Sequence, residues 1–184
     1  MVWSCLVSIL PGMAQTEKLT DYVNPFVGTD GYGNVYPGAQ IPFGGIQISP
    51  DTDSRFYDAA SGYKYNHLTL MGFSLTHLSG TGIPDLGDFL FIPGTGEMKL
   101  EPGTHEDPDQ GYRSRYSHDK EWASPNYYAV ELADYGVKAE MTSGVRSGMF
   151  RFTYPESDNA FIMIDMNHTL WQSCEWSNLR MIND

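Results

Sequence analysis

The feature that most constrains this chain is a two-residue alternation of apolar and polar side chains, which recurs about every 10 to 15 residues. In Met149–Tyr154, three aromatic residues alternate with Met149, Arg151 and Thr153, as in a β-strand with one buried face. No long stretch of the sequence repeats its apolar residues with the 3.6-residue period of a helix. Nineteen glycines and eleven prolines fit strands that are joined by turns. The pattern therefore predicts an all-β fold.

Six segments have the composition and alternation of strands. They are Gly45–Ser49, Phe89–Ile92, Tyr127–Leu132, Val137–Met141, Met149–Tyr154 and Ala160–Met166. Asp134, Tyr135 and Gly136 separate two of these segments and are typical of a hairpin turn. Short connections and one apolar face per strand predict an antiparallel β-sandwich. No linker divides the chain, so we expect one domain over residues 21–184.

Long glycine- and proline-rich loops interrupt the predicted sandwich. The start of the domain is glycine-rich, Gly72–Gly87 combines glycines with hydroxyl side chains, and Glu101–Pro125 is polar throughout. All three are predicted to be loops. Gly28–Gly33 has the glycine spacing of a nucleotide-binding loop, but it leads into Asn-Val-Tyr-Pro instead of a helix and lacks the P-loop lysine, which argues against that function.

The first fourteen residues are mostly apolar and end in Gly12-Met13-Ala14, with small residues where a signal peptidase cleaves. This segment is too short to span a bilayer. Residues 1–14 are therefore predicted to be a signal peptide, and the protein to be exported to the periplasm or outside the cell; a buried N-terminal strand is the alternative. Beyond this segment Cys174 is the only cysteine, which excludes an internal disulfide and a cysteine-based zinc site.

The net charge of −12 argues against nucleic acid as a partner. The densest basic pair is Arg113 and Arg115, which is too small to form a basic patch. The acidity favours solubility, and it is also compatible with binding calcium or sugar hydroxyls.

Candidate catalytic groups occur, but none forms a complete motif. His77 and Ser79 would face the same way on an extended segment, yet no serine lies in the G-x-S-x-G context of a nucleophile elbow. Asp85 and Asp88 could act as paired carboxylates or could cap turns. The five histidines lack the spacing of a metal site; they are His67, His77, His105, His118 and His168.

The order of short motifs in the chain resembles the N-terminal domain of glycoside hydrolase family 92, whose members are calcium-dependent exo-acting α-mannosidases. The resemblance covers nearly everything from Tyr22 to about Asn167. The motifs are VNPFVGT from Val23, YPGA from Tyr36, PFG from Pro42, SPDT from Ser49, SGY from Ser61, GFS from Gly72, THLSGTG from Thr76, DLGD from Asp85, SHDKE from Ser117, Ala123-Ser124-Pro125, Tyr127-Tyr128, DYGV from Asp134 and RFTYP from Arg151.

The resemblance implies a β-sandwich similar to galactose mutarotase, packed on a C-terminal α/α barrel that this chain does not contain. It also implies hydrolysis of terminal α-mannosides with inversion, in which a base activates water while an acid protonates the leaving oxygen. The catalytic acid and base and the calcium ligands would belong to the barrel. This chain would then hold no catalytic residue and no metal ligand, and alone it would be inactive.

The resemblance assigns substrate binding to one loop. His77, Ser79, Thr81 and Asp85 would supply hydrogen bonds, and Gly80 and Gly82 would let the backbone approach the sugar. Leu75 and Ile83-Pro84 differ from the residues that are common at these positions in such enzymes. The differences fall in the outer part of the sugar site, which sets the preferred mannosidic linkage. The alternative function is a non-catalytic carbohydrate-binding or assembly module.

Overall fold

The computed structural model describes residues 17–54 and 57–182. The predicted signal peptide lies outside these residues. The strands are β1 Ser49–Asp51, β2 Thr69–Leu70, β3 Gly72–Ser74, β4 Leu90–Thr95, β5 Ser114–Arg115, β6 Glu121–Ser124, β7 Tyr127–Leu132, β8 Val137–Ser143, β9 Gly148–Thr153 and β10 Ala160–Asp165. Short 3₁₀ helices accompany them in the described part of the chain, at Leu19–Tyr22, Tyr57–Ala59, Pro108–Gln110 and His118–Lys120.

Within residues 17–54 and 57–182, the strands form two four-stranded antiparallel sheets and one small ribbon. Sheet 1 has the order β1-β3-β4-β10, sheet 2 has the order β6-β7-β8-β9, and β2 pairs with β5. Sheet 2 is a meander of consecutive strands, whereas sheet 1 joins β4 to β10, which lies far along the chain. The predicted all-β antiparallel sandwich is confirmed.

Aromatic side chains fill the space between the two sheets. Phe73 of β3 lies 6.2 Å from Phe152 of β9 between ring centroids, and Phe91 of β4 lies 4.9 Å from Phe150. Such offset aromatic pairs add to the burial of apolar area. The buried residues of this core are Ala39, Ile48, Leu70, Phe73, Tyr116, Tyr128, Val130, Leu132, Val137, Ala139 and Met141. This core joins Phe73 of sheet 1 to the strands of sheet 2, and a second cluster of Met71, Leu90, Ile92 and Tyr112 packs with Met163 of β10.

The predictions for individual strands hold best in sheet 2. Tyr127–Leu132 is observed with the predicted bounds, and Asp134–Gly136 forms the expected turn, with Gly136 at φ +64°. The predicted strand at Gly45–Ser49 is shifted, because Gly45 and Gln47 donate their amides to loop carbonyls and the paired strand begins at Ser49.

Two of the three predicted loops contain short strands, so those two predictions are wrong in part. Gly72–Ser74 is β3 at the start of one loop, and the Glu101–Pro125 segment contains β5 and β6. A side chain on Gly72 would lie 2.8 Å from the Phe91 carbonyl oxygen, so the glycine lets the two backbones pair closely. Strands of two to four residues carry too little alternation to be recognised from the sequence.

A buried carboxylate fixes the polar edge of sheet 2. Glu121 accepts hydrogen bonds from the hydroxyls of Tyr63, at 2.9 Å, and Tyr128, at 2.5 Å. His118 Nδ1 lies 2.6 Å from the same carboxylate, and its ring stacks on Tyr65 at 3.9 Å. Burial, together with the negative charge of Glu121, raises the pKa of Tyr128 well above its usual value. The segment around Tyr63 is thereby tied to sheet 2.

Replacing Phe73 by alanine tests the inter-sheet core. Phe73 is fully buried, so Phe73→Ala should lower the free energy of unfolding by about 3–5 kcal/mol. Phe43→Ala, at a fully exposed phenylalanine, is the matched control and should have little effect. Urea unfolding followed by circular dichroism measures both. Equal losses for the two variants would contradict this account of the core.

An ion pair on sheet 2 should make stability depend on pH. Hydrogen bonds from Arg151 and then from Tyr127 lower the pKa of Glu140 to about 2. Since the folded-state pKa is lowered, the stabilisation is present above about pH 4.5 and is lost as the pH falls toward about 2. The difference in unfolding free energy between wild type and Glu140→Gln should therefore shrink in acid. Glu156→Gln, in the turn before β10, is the control; a difference that does not change with pH would contradict the assignment.

Candidate functional site

The glycine-rich segment after β3 forms a loop that is closed at its base. His77 and Leu86 form an isolated antiparallel bridge, and the Gly87 amide donates to the Thr76 carbonyl at 2.9 Å. Glycine at position 87 is needed because a side chain there would lie 2.8 Å from Leu170, with φ at +94°. Residues 78–85 therefore form a surface loop with a fixed base, which we call the GTG loop.

His77 lies beneath the GTG loop and not on its surface. The residue is 3% exposed, and its Nδ1–H donates to the Gln47 carbonyl at 2.6 Å. Its Nε2 lies 2.8 Å from Asp51 Oδ1 and 3.1 Å from Ser74 Oγ. Both ring nitrogens thus have partners within the chain, and the histidine anchors the loop to β1.

Asp51 joins His77 to a second histidine from the far end of the chain. Its other oxygen, Oδ2, accepts a hydrogen bond from His168 Nε2 at 2.7 Å, and the carboxylate is fully buried. Burial alone would raise the pKa of Asp51, but the charge of His77 and the hydrogen bonds from His168 and His77 lower it below its usual value. The carboxylate is therefore ionised and holds both imidazoles; we call these three residues the Asp51 cluster.

Gly62 allows the Asp51 cluster to form. Its φ is +81°, and a side chain built on it would lie 2.1 Å from Asp51 Oδ1. The Gly62 carbonyl also accepts a hydrogen bond from the Thr52 amide at 2.7 Å. The backbone at this position therefore packs directly against the buried carboxylate, and no other residue type fits there without displacing it.

Polar contacts continue from Asp51 along Thr52 and Asp53, and we call these three residues and their partners the polar strip. His105 Nε2 lies 3.1 Å from Asp53 Oδ2, and His67 Nδ1 lies 3.0 Å from the Thr52 hydroxyl. The rings of the two histidines are 4.1 Å apart, and the Arg113 guanidinium donates to the Thr52 carbonyl at 2.5 Å. This strip brings together residues from four separate parts of the sequence.

Within residues 17–54 and 57–182, no group of three or more histidine, cysteine or acidic side chains is arranged to hold a metal ion. The Asp51 carboxylate is already bound on both oxygens by imidazoles. The described residues therefore do not fit a calcium ion, and we derive no chemical step through one.

A cleft of about 450 Å³ opens beside His168. One wall is Trp171, which is 58% exposed and has a φ of +77°. The residues that line the cleft are Ser54, Met71, Pro102, Tyr112, Asp165, Asn167, His168, Thr169, Trp171 and Gln172. Its volume lies within the range of about 300–1,000 Å³ that is usual for small-molecule sites.

The residues predicted to bind substrate fall into two groups. His77 belongs to the buried Asp51 cluster, whereas Ser79, Gly80 and Asp85 are exposed on the GTG loop. The other two predicted residues, Thr81 and Gly82, are partly buried. The structure thus joins His77 to the base of the loop and leaves the loop's hydroxyl, carboxylate and backbone groups at the surface.

Several polar groups of the GTG loop already form hydrogen bonds within the chain. Thr81 Oγ1 donates to the Ile83 carbonyl at 2.7 Å, and the Gly80 amide donates to the Asn34 carbonyl at 2.7 Å. Asp85 Oδ1 accepts from the Leu86 amide at 2.8 Å, while Asp88 accepts from the Thr76 hydroxyl. The hydrogen bonds of Asp85 and Asp88 match the alternative in which these two carboxylates cap turns.

Sequence reasoning missed three residues that structure the site: Asp51, His168 and Trp171. His168 is separated from Asp51 by 117 positions, and no local pattern connects them. The sequence offers one signal for Trp171. It is one of two tryptophans in a polar stretch without strand alternation, which indicates a role other than core packing in a strand.

The sequence matches the profile of the glycosyl hydrolase family 92 N-terminal domain over residues 22–184. The chain belongs to this family. A secreted glycosidase of Arthroderma benhamiae, described as uncharacterized, is 30% identical over 139 residues, which cover 74% of this chain and 17% of that protein. The motif-based resemblance to the family is therefore confirmed.

Two solved structures of family 92 enzymes share the fold. The glycosyl hydrolase ccman5 superposes with a TM-score of 0.69 at 31% identity, and the inverting mannosidase of Bacteroides thetaiotaomicron with a TM-score of 0.66 at 29% identity. Each match covers 82% of this chain and 20% of the other chain. The chain thus spans about a fifth of the length of the relatives that it matches. Among the residues that the structure describes, no helix is long and apolar enough to cross a membrane.

The Asp51 cluster predicts a specific difference between two glycine substitutions. Gly62→Ala and Gly96→Ala both place alanine at a positive φ, +81° and +83°, but a side chain at Gly96 meets no atom within 4 Å. Gly96→Ala should lower the free energy of unfolding by about 1–2 kcal/mol through backbone strain alone. Gly62→Ala should lose about 3 kcal/mol more, because it displaces a buried, paired carboxylate. Urea unfolding measures both losses, and equal values would refute close packing against Asp51.

Proposed function

We propose that this chain is the N-terminal domain of an exported exo-acting α-mannosidase that hydrolyses terminal α-mannosides with inversion. In this proposal the domain lines the sugar site and supports a C-terminal catalytic α/α barrel. The isolated domain supplies no catalytic residue and has no hydrolytic activity. The family match over residues 22–184 is the observation that carries the proposal.

Two comparisons favour the finer parts of the proposal. The Bacteroides thetaiotaomicron relative is an inverting mannosidase, which supports the substrate class and the stereochemistry. The Arthroderma benhamiae relative is described as secreted, which supports export and a signal peptide at residues 1–14. The matched region is 17% of the Arthroderma benhamiae protein and 20% of the Bacteroides thetaiotaomicron chain, which supports a separate catalytic domain.

The GTG loop is suited to contact a sugar from the sandwich side. Ser79 and Asp85 are exposed and present a hydroxyl and a carboxylate, the groups that pair with sugar hydroxyls. Gly80 has a φ of +73° and no atom within 4 Å of where a side chain would lie, so a ligand can approach its backbone closely. Thr81 and Gly82 complete this surface, and His77 positions it from below through Asp51.

The proposal includes calcium only because the family resemblance implies it. The described residues do not form a site for it, so its ligands would lie in the catalytic domain.

The test uses the complete protein encoded by the gene, expressed to its natural stop codon, and the 184-residue chain beside it. The complete protein should release mannose from α-mannobiosides, and proton NMR should show the β-anomer first. Chelation should abolish the activity and calcium should restore it. The 184-residue chain should release no mannose above the uncatalysed rate.

A loop variant connects this activity to the domain described here. Ser79→Ala in the complete protein should raise KM several-fold, because a hydrogen bond to a sugar hydroxyl contributes about 1 kcal/mol. Ser147→Ala, at an exposed serine in the turn before β9, should leave KM unchanged. Mannose release by the isolated chain, or an α-anomer as first product, would overturn the proposal. Binding of mannosides without hydrolysis by the complete protein would instead favour the non-catalytic carbohydrate-binding module.

A further inference from the structure

We propose that the cleft beside Trp171 is a subsite for one neutral pyranose ring, with the Trp171 indole as its stacking platform. The proposal rests on the proposed function only for the choice of mannose as the sugar. It assigns a binding role to residues outside the GTG loop.

Trp171 is held outward by its backbone. Its φ of +77° is unusual for a residue with a side chain and strains the backbone. The conformation is maintained because the Trp171 amide donates to the Ser54 carbonyl at 2.9 Å and the preceding Leu170 is fully buried. A large side chain kept exposed in a strained conformation indicates a function other than core packing.

Hydrogen bonds within the chain hold the base of the cleft in place. His168, which is 6% exposed, lines it and is hydrogen-bonded to the buried Asp51 carboxylate. Leu170 donates its amide to the Leu86 carbonyl at 2.8 Å, which joins the cleft to the base of the GTG loop. The platform and the loop are thus anchored to the same cluster, so a ligand would meet preformed walls.

The chemistry of the lining selects a neutral, hydroxyl-rich ligand. Among the described residues that line the cleft there is one carboxylate, Asp165, and no lysine or arginine, so an anionic ligand lacks a partner. Asn167 and Gln172 are exposed and carry amides that both donate and accept hydrogen bonds. An exposed indole beside amides and a carboxylate fits the apolar face and the hydroxyl rim of a pyranose.

The test is an NMR titration of the ¹⁵N-labelled 184-residue chain with methyl α-mannopyranoside. The indole signals of Trp171 and Trp122 are assigned from the variants that lack them. The Trp171 signal should shift in a saturable way, and the Trp122 signal should not, because Trp122 lies on β6 of the other sheet.

Two variants separate binding from folding. Trp171→Gly removes the indole while glycine adopts the same positive φ without strain, so stability should be kept or raised. Its affinity for the mannoside should fall about tenfold or more, since loss of an aromatic contact of 1.4 kcal/mol corresponds to a factor of about ten. Trp122→Ala, at a tryptophan that is 44% exposed, is the control and should bind like wild type.

The outcomes distinguish this proposal from the proposed function. Mannoside binding that Trp171→Gly leaves unchanged would overturn the subsite and leave the mannosidase proposal standing. Binding at Trp171 of methyl α-glucoside or α-galactoside, but not the mannoside, would support the subsite and contradict mannose as the substrate. Failure of all three glycosides to bind would overturn the subsite.

Discussion

The site depends on one buried carboxylate between two imidazoles. Asp51 accepts hydrogen bonds from His77 and His168, and it comes from β1 at the edge of sheet 1. A buried charge of this kind is stable only when its hydrogen bonds are satisfied, so both histidines must be in place. His77 lies at the base of the GTG loop and His168 in the chain after β10, so these two segments are thereby fixed relative to each other.

The sandwich provides the frame for this cluster. Its aromatic core contacts both sheets, and the polar strip begins at Asp51 in β1 of sheet 1 and reaches His105 through Asp53. Gly62 allows the backbone to approach the carboxylate directly. The GTG loop and the cleft beside Trp171 are therefore both hydrogen-bonded to buried residues of this frame.

Sequence reasoning recovered the strands that alternate over six or seven residues. The β7 strand and its turn to β8 were predicted because the alternation, the turn residues and the pairing strand all lie in one continuous stretch of sequence. It failed for β2, β3, β5 and β6, which are short and buried or mixed in polarity. His77 was recognised as part of the site from its motif, but its burial was not, since its partners at Gln47 and Asp51 lie about 30 residues away.

The sequence by itself determined the all-β class, the family and the loop of glycines and hydroxyls, because each is a property of neighbouring residues. Only the tertiary structure decided what those residues contact. It brought Asp51, His77 and His168 together across 117 positions and turned Trp171 outward beside them. The physical reason is that such a cluster depends on strand pairing and on the closure of long loops, and neither leaves a periodic signal in the chain.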